Sequence, residues 1–159
     1  MIELDFKAWQ SLQRLYLDYA DHVDAARWDD WVACFTDDAD YKIQPRENFE
    51  RGLPLATLSL TSKGMLKDRA YGISHTLFHD PYYQRHVVSA PLVREVQGGL
   101  IHCEANYAVF RTKYDGESTV FNVGRYLDQV ISTPDGFKFR RRWCIFDSEM
   151  VPNSLIYPI

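Results

Sequence analysis

The sequence predicts an α+β domain in which a curved antiparallel sheet wraps around N-terminal helices into a cone. Two observations carry that reading. Apolar residues recur at helical spacing through the first third of the chain and at a spacing of two through the second half. Three glycine-bearing doublets, Gly98-Gly99, Asp115-Gly116 and Asp135-Gly136, then divide the second half at hairpin intervals. Helices first and a meander of strands after them is the order of an α+β domain, not of alternating βα units.

Trp9, Leu12, Tyr16, Tyr19 and Val23 fall on one face of an amphipathic helix over residues 5–25. Leu15 and Ala20 widen that stripe, while Lys7, Gln13, Arg14 and Asp18 lie mainly off it. A second, short helical piece carries Trp28, Trp31, Val32 and Phe35 up to the acidic turn Thr36-Asp37-Asp38. Asp40 to Gln44 alternates as a short strand that stops at Pro45. Asn48 to Gly52 reads as a turn, and Leu53, Leu55, Leu58 and Leu60 as a strand lining around Pro54. Residues 62–79 regain helical character through Met65, Leu66, Tyr71 and Ile73, weakened by Gly64 and Gly72. Four strand-like runs come next, at 86–97, 100–114, 117–132 and 137–148.

The length of 159 residues fits one domain spanning 1–159, with no repeat, low-complexity stretch or linker. Lys plus Arg is 18 against 22 Asp plus Glu, a net charge of −4, which argues against nucleic acid as a partner. Apolar residues at 46% and aromatic residues at 14% exclude a disordered chain. No apolar run approaches the roughly 18 residues that span a bilayer, so no membrane partner is expected. Met1 to Phe6 lacks a basic start and an apolar stretch, and Cys34, Cys103 and Cys144 are odd in number and widely spaced. Both point to reduced thiols in a cytoplasmic protein.

The chemistry-bearing residues leave several readings open. His75 and His79 are four apart, but Thr76 denies them the H-E-x-x-H pattern, and no cysteine has a histidine at Rieske spacing. An α+β cone often encloses a pocket, as in ketosteroid isomerase and scytalone dehydratase. Tyr16, Asp40, His79 and His86 are the candidates to line one here, for proton transfer or ligand binding, with Asp40 or His86 as base; hydrogen bonding inside a packed interior is the rival reading. Nucleophile-elbow and phosphate-loop motifs are absent. In Arg140-Arg141-Arg142, strand alternation sends Arg140 and Arg142 one way and Arg141 the other, which suits a solvated face or salt bridges to a protein partner better than a phosphate site. Tyr82, Tyr83, Arg85 and His86 have the composition of an interface. The apolar tail from Val151 to Ile159, with Ile156 and Tyr157, is expected to dock onto its own domain or onto a neighbour.

Several segments together resemble the small (beta) subunit of Rieske non-haem iron aromatic-ring-hydroxylating oxygenases. They are Trp31 to Tyr41, Met65 to Arg69, Tyr83 to Ser89, Ala105 to Arg111, Gly124 to Asp128, Phe146 to Glu149 and Pro152 to Ile159, spread in family order over nearly the whole chain. The ending and Gln44 to Asn48 look most similar to the salicylate 5-hydroxylase branch, with anthranilate and terephthalate dioxygenase small subunits as near relatives. Asp80-Pro81-Tyr82-Tyr83 stands where the benzene and naphthalene branch carries a different run. The resemblance implies a nuclear-transport-factor-2-like cone and a non-catalytic subunit of an NADH- and O₂-dependent oxygenase acting on an aromatic carboxylate. It also implies a large (alpha) subunit that holds the Rieske [2Fe-2S] cluster and the mononuclear iron, with no cofactor in this chain. The small subunits would form a trimer within a trimer of heterodimers, served indirectly by a ferredoxin and a reductase.

Overall fold

Helix α1 (Phe6–Asp24) starts where Asp5 accepts the Ala8 N–H at 2.7 Å, an N-cap that satisfies one of the free donors of the first turn. The structure is a computed structural model and describes residues 4–151 and 154–159. The buried face of α1 is Leu12, Leu15, Tyr16, Tyr19 and Val23, the stripe that the spacing predicts. Ala26, in the left-handed region at φ 55°, turns the chain into α2 (Trp28–Ala33). Strand β1 (Phe35–Pro45) is longer than the alternation suggests. An irregularity between Phe35 and Asp40 absorbs the acidic turn, so Phe35 joins the strand and not the helix.

Residues 45–60 are the poorest match to the expectation. Arg46–Glu50 forms a five-residue helix, α3, and only Leu58–Leu60 pairs as β2, leaving Leu53 and Leu55 exposed in the loop. Helix α4 (Lys63–Tyr71) is capped by Ser62 and runs into a π-helical turn at Gly72–Thr76. The expected run 86–97 is two strands, β3 (Tyr82–Val88) and β4 (Leu92–Gln97). Pro91 explains the break, since it has no N–H to give a sheet ladder. The remaining strands are β5 (Leu100–Lys113), β6 (Ser118–Thr133) and β7 (Gly136–Phe146), separated at the three doublets. Gly98, Gly99 and Gly136 take the positive φ that tight hairpins demand.

The sheet order is β2-β1-β7-β6-β5-β3, with β4 pairing β5 beyond β3 on the same edge. One pairing departs from the expected antiparallel sheet. β7 lies parallel to β1, because the chain returns to its first strand only after the whole meander, through a connection too long to be a hairpin. Gly124 faces Phe146 in β7, where a β-carbon would sit 2.1 Å from the Ile145 carbonyl oxygen, so only glycine allows the approach. The core lies between the concave face of the sheet and the buried stripe of α1.

Candidate functional site

The cone interior is built from alternate residues of β1, β5, β6 and β7, and its centre is a charge. Arg142 is 0% exposed and donates through Nε and Nη2 to the Asp128 carboxylate at 3.0 and 2.7 Å. Tyr16 donates its hydroxyl to the same carboxylate. The guanidinium carbon lies 3.8–4.7 Å from the ring centroids of Phe139, Tyr126, Tyr19 and Tyr16. Burial pushes the Asp128 carboxyl up from its ordinary value, while Arg142 and Tyr16 pull it back. Burial also works against the Arg142 charge, but Asp128 more than restores it and holds that group well above its usual range. The bidentate pair and the ring faces thus replace the water that both ions lost.

Arg142 at this place overturns the strand-alternation reading that put it on the surface beside Arg140. Gln129 pairs with Arg141 and Val130 with Phe139, so Arg140 is the extra residue of a β-bulge. A bulge resets the inward and outward parity of a strand. Phe139 and Arg142 therefore both face inward, while Arg140 stays outside on Asp38 at 2.9 Å. Arg142 cannot serve a partner surface.

The tail fills the rest of the interior. Ile159 is 0% exposed; its main-chain oxygen accepts from Tyr19 at 2.5 Å, Tyr41 at 3.0 Å and the Cys144 thiol at 3.4 Å. Its N–H donates to the Tyr41 oxygen at 2.9 Å. Arg69 holds the Leu155 and Ile156 carbonyls at 2.8 and 2.7 Å, and Gln84 holds that of Pro158 at 3.3 Å. The Tyr157 ring packs against Trp28 and Tyr82, and its hydroxyl meets His79 Nε2 at 2.7 Å. Of the two docking expectations, the tail takes its own domain; Pro152 and Asn153 lie outside the described residues. Ile156 and Tyr157, expected at a partner surface, are half-buried in these internal contacts.

The four residues proposed to line a pocket are not brought together. Asp40 sits on the outer face of β1, accepting from Trp143 Nε1 at 2.9 Å beside Arg141. It pairs across β1–β7 with Arg141, whereas Tyr41 pairs with the inward Arg142. His79 is at the tail, and Tyr16 is committed to Asp128. His86 is bound to Asp24 at the end of α1: Nδ1 lies 2.6 Å from Asp24 Oδ1, and the His86 backbone N–H reaches Oδ2 at 2.9 Å. Tyr16 and His86 alone border a common cleft of about 270 Å³, between α1 and the turn after β3. Along β3 the burial alternates, so Tyr82 and His86 face the interior and are lost to a partner, while Tyr83 and Arg85 face out.

Sequence reasoning missed Asp128, Asp24, Tyr19 and Tyr41 as polar partners. Asp128 carried a signal: it stands between Tyr126 and Val130 at the inward parity of β6, where a carboxylate needs a buried cation. The three cysteines are free and buried, and burial pushes each thiol up to about 12. Among the described residues no three His, Cys, Asp or Glu side chains gather, so these residues offer no ligand set for a cluster or an iron ion. No helix among them is long and apolar enough to cross a membrane.

Residues 7–143 match the SnoaL-like domain family. The anthranilate 1,2-dioxygenase small subunit of Burkholderia cepacia is 35% identical over 155 residues, 98% of this chain and 96% of that one. Among solved structures, a beta subunit assigned to an aromatic-ring-hydroxylating dioxygenase of Novosphingobium aromaticivorans is 30% identical, with a TM-score of 0.89 over 99% of this chain and 100% of that one. The benzoate 1,2-dioxygenase beta subunit of Burkholderia mallei is 14% identical and shares the fold, with a TM-score of 0.74 over 92% and 93% of the two chains.

Proposed function

The chain belongs to the SnoaL-like domain family, among the small subunits of aromatic-ring-hydroxylating dioxygenases, and on that premise we propose that it serves its oxygenase as a non-catalytic scaffold. A subunit of this kind has a large subunit as its partner. That partner carries the Rieske cluster and the mononuclear iron, and the small subunits close a trimer beneath a ring of large ones. A ferredoxin and a reductase bring electrons from NADH for reaction with O₂ in the cytoplasm. Electron transfer between neighbouring large subunits needs their metal centres held in fixed register, and a symmetric base supplies that register.

The observation that carries this reading is the filled cone. The space that a cone-fold isomerase would give to substrate is occupied by Arg142 in its cage of rings and by Ile159. Of the two candidate bases of the rival reading, Asp40 lies on the outer face of β1 and His86 is bound to Asp24, so neither stands free in the interior. The substrate is an aromatic carboxylate; we favour salicylate on the likeness of the ending and of Gln44 to Asn48, with anthranilate the alternative set by the Burkholderia cepacia relative.

Expression of the chain with and without its large subunit tests the proposal. The isolated chain should hold no stoichiometric iron and oxidise no arene, and hydroxylation by the large subunit should need the small one for assembly. Iron bound in a one-to-one ratio, or turnover by the isolated chain, would overturn the scaffold role. Faster turnover of anthranilate than of salicylate by the assembled enzyme would overturn the choice of substrate alone.

A further inference from the structure

The outer face of the sheet is two surfaces side by side. On β1 and β7 the outward residues are polar or charged and matched within the chain: Asp40 meets Trp143 and Arg141, and Arg140 meets Asp38. On β3, β5 and β6 they are apolar. Val87 pairs with Ala108 and Ala108 with Val123, and in the next outward row Phe110 stands between Arg85 and Val120. Val87 is 58% exposed and Val120 59%, with Tyr83 and Val123 also open to solvent. An antiparallel sheet with one face in water alternates apolar inward with polar outward. Here the inward residues of the same strands, Tyr107, Val109 and Tyr126 among them, are already buried in the core. The block is therefore apolar on both faces, and one of them is uncovered.

Three cations frame this block. Arg85 flanks Phe110 on β3, Arg125 follows Val123 at the next outward position of β6, and Lys42 lies beside Trp143 on β1. Arg125 and Lys42 rest over the rings of Phe49 and Trp143, at 5.9 and 4.3 Å from their centroids. Among the described residues none of the three has a carboxylate in a salt bridge, whereas Arg94, Arg140 and Arg141 each have one. A chain with a net charge of −4 thus presents a cationic rim here. From the row of Tyr83 to the row of Lys42 the strands run about 27 Å, and five strands are about 24 Å wide, an area of roughly 650 Å². Each partner contributes about 800 Å² to a standard stable interface, so the face is of the right size.

On the premise of the small-subunit scaffold role, we propose that this outer face, from Tyr83 and Val87 across to Trp143 and Lys42, is the seat of the large subunit, which meets it with an apolar surface bordered by carboxylates. The apolar block supplies the dry centre of the contact, and Arg85, Arg125 and Lys42 receive the carboxylates at its rim. A second copy of the chain is a poor occupant. The face against itself sets like charges together, with Arg125 near the middle of the patch. The face against the helices of the next copy uses two opposite sides of the molecule, because α1 packs on the concave side of the sheet. A contact between opposite sides propagates as an open chain and does not close a trimer.

The test co-expresses the full chain with its large subunit and measures their association and the mass of the assembly. Val120→Glu with Val123→Glu puts two carboxylates into the dry centre and should weaken the hold on the large subunit about a hundredfold, with the small chain's own oligomeric mass and thermal unfolding close to the parent's. Arg85→Glu should weaken it about tenfold and flatten its dependence on salt. Leu17→Glu, the same kind of change at an exposed position of α1, should leave association unaltered. A folded double variant that holds the large subunit as tightly as the parent, or that loses only its self-association, overturns the seat. Oxidative footprinting of the unaltered proteins gives a reading without substitution. Tyr83 and Phe110 should become protected when the large subunit binds, while Tyr71 on α4 keeps its rate; an unprotected Tyr83 overturns the proposal. If the unaltered chain holds no large subunit at all, the scaffold role falls with it, an outcome distinct from failure of this face alone.

Discussion

Two side chains fill the same cone from different directions, and the way each is held decides what it can do. Arg142 enters from the middle of a strand. Its backbone is locked in the β1–β7–β6 ladders, and its charge is closed by Asp128 in two hydrogen bonds. Ile159 enters from a segment with no ladder, and its polar atoms are met only by side chains. The first filling is permanent, because moving it would open the sheet and strand an ion in an apolar interior. The second is conditional, since leaving exposes neutral hydroxyls that water can satisfy. Equal burial thus conceals unequal commitment.

The largest effect expected from breaking that contrast is at Asp128. Asp128→Ala leaves Arg142 as an unpaired buried cation and should cost about 3–5 kcal/mol of stability in denaturant unfolding. The double change Asp128→Leu with Arg142→Met should recover most of that loss, because it removes the ion together with its partner. A single variant as stable as the parent would mean that the cage of rings alone solvates the guanidinium. Ile159→Ala comes next, at about 2 kcal/mol, the lower end for deleting a buried isoleucine side chain. A tail that docks locally limits the loss to its own docking energy.

The thiols sharpen the same contrast through pH. Burial pushes Cys144 up to about 12, so below that pH the folded chain presents a protonated thiol, and reactivity falls with each unit below it. Labelling near pH 8 therefore reports opening of the structure. Ile159→Ala should speed alkylation of Cys144, whose thiol touches the tail, and leave Cys103, which lies on β5, unchanged. Equal acceleration at both, read by mass spectrometry, would show that the tail and the sheet open together.

Much of the fold was legible because it rests on period and on turn chemistry. The stripe from Leu12 to Val23 placed α1, and the three doublets placed the hairpins of β4 to β7. The parallel pairing of β1 with β7 was not legible, since it depends on where a distant strand ends and not on any local pattern. The candidate site was read least well. Asp40 has the right chemistry for a base, but the register opposite Arg141 puts it outside. Tyr19 and Tyr41 looked like core aromatics, and they are; their hydroxyls acquire meaning only when a segment more than a hundred residues away arrives between them.

Arg140 gives the smallest expected effect and the finest test of the bulge. Its neighbour two positions on is fully buried, yet Arg140 pairs with Asp38 with both side chains about half open to solvent. An ion pair of that kind is screened by water and salt, so Arg140→Ala should change stability by no more than about 0.5 kcal/mol. If strand alternation ran unbroken, Arg140 and Arg142 would share a face and respond alike. A loss at Arg140 approaching that at Asp128 would therefore mean that Gln129 does not pair with Arg141, and that the inward turn of Arg142 needs another cause.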